Sequence, residues 1–262
     1  MMTLRKLSMS LLAVGMLFAS STFAQQAGDN MISLGVNYIT PKINNSNPSV
    51  VGSDNLGGAI VSGVQSGLNG TTASVNNAFV GTISYARMLT DNWAGELQLG
   101  LPPTMNLNLN TPNATNSQAP TLTSAPTHNN AASAKFFAPV VMAKYYFGVP
   151  KDALRPYLGV GATHVSFHNV QINRGDQVVS DIAGQGARLN SAWAPVFNAG
   201  ALYNLDQSWF IQGGMAYVPI KTTLTMNGTT VVAGGAYSAS TTTTTSINFN
   251  TLEYVFKLGY KF

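Results

Sequence analysis

Cysteine is absent from the 262 residues of the chain. Its absence excludes thiolate metal sites, thiol nucleophiles and a disulfide framework. It also fits an exported protein, because a chain without thiols cannot mispair while it crosses an oxidising compartment.

Charge is scarce as well. Charged residues make up 8% of the chain, against about 25% in an ordinary soluble domain. Arg5 and Lys6 are two of the 13 basic residues, so the rest of the chain carries 11 basic and 9 acidic side chains. No Lys/Arg cluster remains that could follow a phosphate backbone, and a nucleic-acid partner is therefore excluded.

The first 24 residues have the three-part layout of a secretory signal. Arg5 and Lys6 precede an apolar stretch from Leu7 to Ala19, and small residues lead up to Ala24. A membrane anchor helix is the alternative, but the stretch falls short of the ~20 residues needed to span a bilayer. We expect residues 1–24 to be a signal peptide that is cleaved near Gln25, leaving one domain over residues 25–262.

Long apolar runs are also missing after residue 24, which argues against helical membrane spans. Apolar residues instead alternate with small and polar ones. In the last segment Tyr254, Phe256 and Leu258 share one parity and Lys257 lies on the other, which predicts a strand with one apolar face. A strand of a soluble sandwich would alternate likewise. The aromatic C-terminal residue, Phe262, resembles the assembly signal of bacterial outer-membrane barrels, which implies the barrel-assembly machinery as a partner of this strand.

Seven further segments alternate in the same way, near 31–41, 77–88, 93–107, 135–147, 155–168, 192–204 and 208–224. Short and long connections follow each other in turn, as in a closed barrel, whose strands leave no backbone group unpaired in lipid. We therefore predict an all-β fold: an eight-stranded antiparallel transmembrane β-barrel in the lipid of a Gram-negative outer membrane, with short periplasmic turns, long external loops and both termini periplasmic. The long connection over 225–246, with its run from Thr241 to Thr245, is predicted to be a polar, mobile loop.

Aromatic residues near the short connections predict a girdle at the periplasmic side of the membrane. Ordinary β-propensity is the alternative explanation for part of this clustering. The predicted girdle residues are Trp93, Tyr145, Tyr146, Phe147, Tyr203, Trp209, Tyr260 and Phe262.

Charged and amide side chains fall at inward parity, since a lysine on the lipid face costs about 2 to 4 kcal/mol at mid-membrane. An eight-stranded barrel is just wide enough for side chains to fill it, so an open water channel is not expected. These residues either form a structural plug of ion pairs or a polar floor that turns a hydrophobic ligand sideways. The predicted floor comprises Glu96, Gln98, Lys144, Glu253 and Lys257.

Apolar residues follow at the same parity toward the external end of the fourth segment. Phe136, Ala138, Val140 and Met142 are predicted to line an apolar vestibule above the floor, with a packed apolar plug as the equal alternative. Pro139, Pro195 and Pro219 lie within predicted strands, and each removes one ladder donor. They mark either bulges and strand ends or a lateral opening into the bilayer.

Histidines give no support to catalysis. His128 is predicted to lie in a loop, and His164 and His168 are four residues apart on one strand face, about 13 Å from each other, which is too far for one metal ion. No Ser-His-Asp or paired-carboxylate arrangement stands out. We therefore expect no enzyme, no cofactor and no metal.

Three stretches together resemble the OmpW family of small outer-membrane barrels. They run from Leu89 to Leu97 around the first turn, from Val141 through Tyr145-Tyr146-Phe147-Gly148 and Arg155-Pro156-Tyr157 to Gly161, and from Leu258 to Phe262. The resemblance covers essentially all of residues 25–262; the first two external loops and the Thr-rich fourth loop depart from it. It implies an eight-stranded barrel with a narrow, largely apolar interior that helps small hydrophobic molecules across the outer membrane.

Three classes of function remain in view. The first is a passive, narrow route for small hydrophobic molecules, as the resemblance implies. The second is a non-transporting structural or receptor barrel whose external loops bind partners while the lumen is a solid plug. The third is a lipid-modifying barrel enzyme, which would need a nucleophile and base clustered at the external rim.

Overall fold

The computed structural model describes residues 25–113 and 127–262, so the predicted signal peptide lies outside the described residues. No helix in these two ranges is long and apolar enough to cross a membrane. Two helices are present, α1 (Ala59–Leu68) and α2 (Gln177–Ala183). The strands are β1 (Asn30–Asn45), β2 (Ser49–Asp54), β3 (Thr72–Val75), β4 (Ala78–Met88), β5 (Trp93–Gly100), β6 (Thr104–Asn110), β7 (Thr127–Phe137), β8 (Val140–Tyr146), β9 (Leu154–Ile172), β10 (Gly186–Leu189), β11 (Ala192–Asn204), β12 (Trp209–Val232) and β13 (Tyr237–Lys261).

Eight of these strands pair in a closed antiparallel ring. The order is β1, β4, β5, β8, β9, β11, β12 and β13, and β13 pairs back to β1 from Met31–Lys261 to Asn45–Ile247. A closed ring leaves no edge strand in the wall, which is what a β-structure in lipid requires. The predicted all-β, eight-stranded barrel is confirmed.

Side-chain parity divides the wall into a lipid face and a lumen face. Phe256 is 60% exposed on the outside, whereas Lys257 beside it is 1% exposed inside. Strand β9 follows the same division, because Tyr157 is buried in the lumen and Leu158 points outward. The alternation seen in the sequence is therefore the division between lipid and lumen.

The short connections define a turn end of the barrel, and the long ones a loop end. Aromatic rings surround the turn end on the outside and touch one another, as Trp93 and Tyr145 do at 5.1 Å between ring centroids and Trp209 and Tyr260 at 5.2 Å. Tyr146 is wrong as a girdle residue, because it lies on the inward parity of β8 and is buried in the lumen.

The hairpin of β12 and β13 extends much further toward the loop end than predicted. Its ladder is continuous from Trp209–Tyr260 to Val232–Tyr237, so the predicted loop over 225–246 is wrong. Threonine is β-branched and favours extended backbone, and the run from Thr241 to Thr245 pairs with β12 on one side and β2 on the other. The hairpin reverses at Ala233, Gly234 and Gly235, all with positive φ, which glycine adopts without steric cost.

Two predicted strands are interrupted. The segment predicted over 93–107 is divided into β5 and β6 around Pro102 and Pro103, and the segment over 135–147 is divided into β7 and β8 at Ala138 and Pro139. Proline has no backbone N–H to donate to a ladder, so consecutive prolines end a strand. Above these interruptions β6 and β7 continue the wall, joined by β3 on one side and β9 on the other.

Helices α1 and α2 both contribute to one buried apolar cluster at the loop end. Val64 and Leu68 of α1 share one buried cluster with Val178 and Ile182 of α2 and with Leu224 of β12. Asp54 fixes the start of α1, because its carboxylate accepts hydrogen bonds from the backbone N–H groups of Val61, Gly58, Leu56 and Ile60. These bonds, that from Val61 foremost, hold the pKa of Asp54 below its ordinary value.

Candidate functional site: a closed floor beneath three cavities

One carboxylate and two ammonium groups close the lumen. Glu96 accepts from Lys144 Nζ at 2.6 Å through Oε2 and from Lys257 Nζ at 2.6 Å through Oε1. Lys257 also donates to Ser84 Oγ at 3.1 Å, and Ser84 is hydrogen-bonded to Ser33. We call Glu96, Lys144 and Lys257 the ion-paired floor. All three are at least 95% buried, so both lysines depend on this single carboxylate for their charge balance.

Glycines beside the lysines make room for this arrangement. A Cβ at Gly35 would lie 2.7 Å from Lys257 Cγ, and one at Gly159 would lie 3.2 Å from Lys144 Cγ. The lysine stems therefore cross the narrow lumen over bare backbone. The sequence places Gly on the lumen parity of β1 and β9, where a larger residue would push the ammonium groups away from Glu96.

Below the floor, the turn end is sealed by apolar packing and one arginine. Met88, Tyr146, Leu202 and Phe210 belong to one buried cluster. Arg155 is fully buried and donates to the carbonyls of Gln25, Asp91, Tyr146 and Phe147, with the two shortest bonds at 2.8 Å to Gln25 and 2.6 Å to Asp91. The guanidinium thereby ties the N-terminal segment to the first turn and to the end of β8.

Three cavities are stacked above the floor. The lower cavity is lined by Lys144, Lys257 and Met142. The middle cavity is lined by Phe136, Ala138 and Val140, and we call it the vestibule. The upper cavity reaches Val179, Ile182 and Ala183 of α2. The lower cavity shares Val140 and Val218 with the vestibule, which shares Phe136 and Phe249 with the upper one.

The structure separates some residues that the sequence grouped. Met142 lines the lower cavity and not the vestibule, because it lies one pleat closer to the floor than Val140. Gln98 is buried at the junction of the two cavities. Glu253 does not join the ion-paired floor: its Oε2 accepts from Asn37 Nδ2 at 2.8 Å, and it lines both the vestibule and the lower cavity.

The wall has two interruptions at the height of the vestibule. In the first, pairing between β5 and β8 ends at Gln98–Val140 and resumes between β6 and β7 at Thr104–Lys135; Pro139 lies in this interval, and its carbonyl accepts from Thr163 Oγ1 on the β9 side. In the second, pairing between β11 and β12 ends at Phe197–Tyr217. That register, extended by two residues, brings Pro195 opposite Pro219. Val196 and Val218 still pack together on the lumen side.

Comparison with known proteins settles the family. A model of the OmpW family matches residues 43–262. The chain belongs to the OmpW family. Relatives of this OmpW-family barrel include outer membrane protein W of Vibrio cholerae serotype O1, 26% identical over 248 residues that cover 94% of each chain, and outer membrane protein W of Escherichia coli K12, 24% identical over 261 residues that cover 99% of this chain and 100% of the relative.

A solved structure shares the fold. OprG of Pseudomonas aeruginosa is similar with a TM-score of 0.71 and 19% identity, over 92% of this chain and 99% of that one. The OmpW-family barrel is accordingly a protein of the outer membrane, and its exposed apolar wall contacts lipid. Barrels of this kind turn their short connections to the periplasm and their long ones outward.

At the outer rim, this OmpW-family barrel holds a hydroxyl, an imidazole and a carboxylate in line. His128 Nε2 is 2.9 Å from Thr111 Oγ1, and Nδ1 is 2.7 Å from Asp176 Oδ2. His128 is buried at the start of β7, so its predicted loop position is wrong. Asp176 also caps α2 through Val179 N–H, and Thr111 is fully buried. The trio pins α2 to the second loop, and its hydroxyl has no access to a substrate.

The two remaining histidines make local contacts. The His164 ring lies 5.0 Å from the Trp193 ring, and His168 Nε2 is 3.0 Å from Ser166 Oγ. Within residues 25–113 and 127–262, no group of three or more His, Asp or Glu side chains could hold a metal ion.

Sequence reasoning missed three contributors to the lumen of the OmpW-family barrel. Arg155 and Asn37 both lie at inward-facing positions of their strands. Because buried polar groups are hydrogen-bonded, the sequence could have identified them as lumen residues that need a partner. Ser84 carried no signal, since serine suits either face of a strand. Most of their partners are distant in sequence, as Gln25 and Asp91 are from Arg155 and Glu253 is from Asn37, and alternation alone cannot bring such residues together.

Proposed function

We propose that this barrel gives small hydrophobic molecules a passive route across the outer membrane. The observation that carries the proposal is the pair of apolar cavities, the vestibule and the upper cavity, above the ion-paired floor. Small-molecule sites are likewise lined mainly by apolar side chains with a few polar groups. The ion-paired floor prevents straight passage, because an apolar molecule cannot replace the bonds that hold Glu96, Lys144 and Lys257 together.

A ligand that cannot pass the floor has to leave through the wall, and we propose a lateral exit at one of the two interruptions. The vestibule is lined by Leu101, Pro103 and Ala138 beside the first interruption and by Val218 and Ile220 beside the second. A missing ladder there lowers the cost of parting two strands, since no backbone hydrogen bonds have to break. Val196 and Val218 close the second interruption at rest, so this exit is transient.

Tracer uptake with a blocked vestibule tests the route. Cells that carry the barrel should take up radiolabelled octane faster than cells without it, and Val140→Trp should return uptake to the level without the barrel, because the indole would fill the vestibule. Val141→Trp is the matched control: Val141 is the adjacent residue, points outward and is 62% exposed, so it should keep wild-type uptake.

If Val140→Trp transports octane as fast as Val141→Trp, the route through the vestibule is wrong. In that case the reading of a structural or receptor barrel, whose external loops bind partners, takes its place. The same conclusion follows if cells that carry this barrel take up octane no faster than cells that carry a barrel of similar size with a plugged lumen.

A reversible disulfide across the second interruption tests the lateral exit. The chain has no cysteine, so Pro195→Cys with Pro219→Cys would introduce the only thiols. If the second interruption is the exit, oxidation of this pair should slow octane uptake and reduction should restore it. A cysteine pair at Ala199 and Met215, which already face each other in the paired ladder, is the control and should be indifferent to oxidation. Equal rates for the oxidised and reduced proline-site pair would place the exit elsewhere, with the first interruption as the remaining candidate.

We further propose that the strand ending at Phe262 is the contact with the barrel-assembly machinery. Phe262 is 64% exposed, and its backbone pairs with Asn30 at the seam where the last strand closes on the first. The test compares the folded yield of Phe262→Ala in cells with the refolding of the same variant into pure lipid. A defect in cells alone supports the contact with the assembly machinery, whereas a defect in both would assign Phe262 to barrel stability.

A further inference from the structure

Asn37 and Glu253 place two hydrogen-bond acceptors at the base of the vestibule. A carboxylate only accepts, so the Asn37 amide turns its NH2 group to Glu253. This leaves Asn37 Oδ1 buried with no hydrogen-bond partner among the described residues. Asn37 is 2% exposed and lines both the vestibule and the lower cavity, as Glu253 does. A buried acceptor without a donor destabilises the fold, and a ligand that supplies the donor recovers this loss.

Glu253 has no ion-pair partner within 4.0 Å in the described ranges, because Lys144 and Lys257 are both directed at Glu96. Lys257 interacts with Glu253 only at longer range. Glu253 is also the single charged residue in the lining of the vestibule, which otherwise consists of apolar side chains with a few amides and hydroxyls. A carboxyl group in such surroundings either takes up a proton or is balanced by a cation, and the ammonium group of a ligand would supply that cation.

The geometry points to a binding site for aliphatic primary amines. We propose that the ammonium group binds Glu253 and Asn37 Oδ1 while the alkyl chain extends toward the loop end along Val140, Phe136 and Phe249. An ammonium group offers three donors, which matches two acceptors that converge from β13 and β1. This inference rests on the proposed function in one respect, that ligands enter the vestibule, and it adds the class of head group that the vestibule selects.

Other head groups fit the site less well. A carboxylate would be repelled by Glu253. A hydroxyl has one proton to donate and would leave one of the two acceptors unsatisfied. An alkane would leave both unsatisfied and gain only the apolar contacts above them. A charge-assisted bond is worth enough to favour an amine over an alcohol of equal chain length by about tenfold or more.

Calorimetric titration of the full barrel in phosphatidylcholine nanodiscs tests the site, with heats for empty nanodiscs subtracted. The probes are decylamine, decanol and decanoate at neutral pH, where an alkylammonium of ordinary pKa, near 10.4 for a lysine side chain, is protonated. Wild type should bind decylamine about tenfold tighter than decanol, with decanoate weakest. Glu253→Gln should bind both decylamine and decanol with the affinity that decanol has for wild type.

Tyr254→Phe provides the matched control. Tyr254 is adjacent to Glu253 on the same strand and is 46% exposed on the outer face, so this variant removes a hydroxyl outside the vestibule and should keep the preference for the amine. If Glu253→Gln does not fold, the ranking of the three probes on wild type decides alone. Decanol binding as tightly as decylamine, or decanoate more tightly, overturns the amine site and leaves the hydrophobic route intact. Absence of binding for all three probes overturns the amine site, and octane uptake then reports separately on the route.

Discussion

Glu96→Gln is expected to destabilise the folded barrel by about 3 to 5 kcal/mol, the range observed when one partner is removed from a buried ion pair. The substitution keeps the size of the side chain but removes the negative charge that Lys144 and Lys257 share at 2.6 Å each. Two ammonium groups would then face each other in a lumen with no carboxylate bound to either of them. Urea unfolding in phosphatidylcholine vesicles, followed by tryptophan fluorescence, measures the loss.

Lys144→Met is the informative comparison. It leaves one ammonium on one carboxylate, Lys257 on Glu96, so the remaining pair is balanced and methionine fills the vacated space. We expect a cost below half that of Glu96→Gln. If Lys144→Met proves the more damaging of the two, or if Glu96→Gln costs less than about 1 kcal/mol, charge balance at the floor does not hold the lumen together and packing around it does.

Arg155→Met is expected to cost about 3 kcal/mol or more, because bonds from a charged donor are worth about 1.5 to 3 kcal/mol each and their losses are not additive. The guanidinium donates to four carbonyls on three separate segments at the turn end. Methionine keeps the bulk of the stem and leaves those carbonyls without a donor. Hydrogen exchange should rise at the amides around Gln25, Asp91 and Tyr146, in step with the drop in the urea midpoint.

Two variants distinguish the several hydrogen-bond donors of the Arg155 guanidinium from its positive charge. Arg155→Lys keeps the charge, but an ammonium is a point donor that cannot reach several segments together, so most of the loss should remain. Arg87→Met removes an exposed arginine with one bond of 3.4 Å to Asn30 and should stay within about 0.5 kcal/mol of wild type. A lysine at 155 that restores wild-type stability would show that charge alone matters there.

Alternation predicted the barrel because the lipid and the lumen impose opposite demands on neighbouring residues. In β5 and β13 this demand is strict, and the inward Glu96 and Lys257 stand beside outward Leu97 and Phe256. It weakens where the wall leaves the bilayer, because the outer face there meets water and no longer has to be apolar. That is why the Thr-rich part of β13 resembles a loop in the sequence. Helix α1 has a helical signal, since Ile60, Val64 and Leu68 recur every four residues, but that signal lies within a long polar connection.

The site was only partly predictable for a different reason. Parity assigns a residue to the lumen but gives neither its height nor its partner, both of which depend on the register between strands far apart in sequence. Glu96 and Lys257 are 161 residues apart, and Asn37 and Glu253 are 216 apart. The same limit explains why Met142 was placed in the vestibule and Glu253 in the floor. The interruption at Pro102 and Pro103 was open to prediction, since consecutive prolines exclude a regular ladder.

The length of the last hairpin sets how far the barrel wall rises above the membrane. Strand β13 has 25 residues, which at about 3.3 Å each give roughly 80 Å of wall. With a tilt of about 40° this rises roughly 60 Å, more than twice the ~25 Å apolar band of such barrels. The extended hairpin lines the apolar upper cavity through Leu224, Met226 and Ile247. In the proposed route, a hydrophobic molecule would therefore leave water in that cavity, before it reaches the depth of the hydrocarbon.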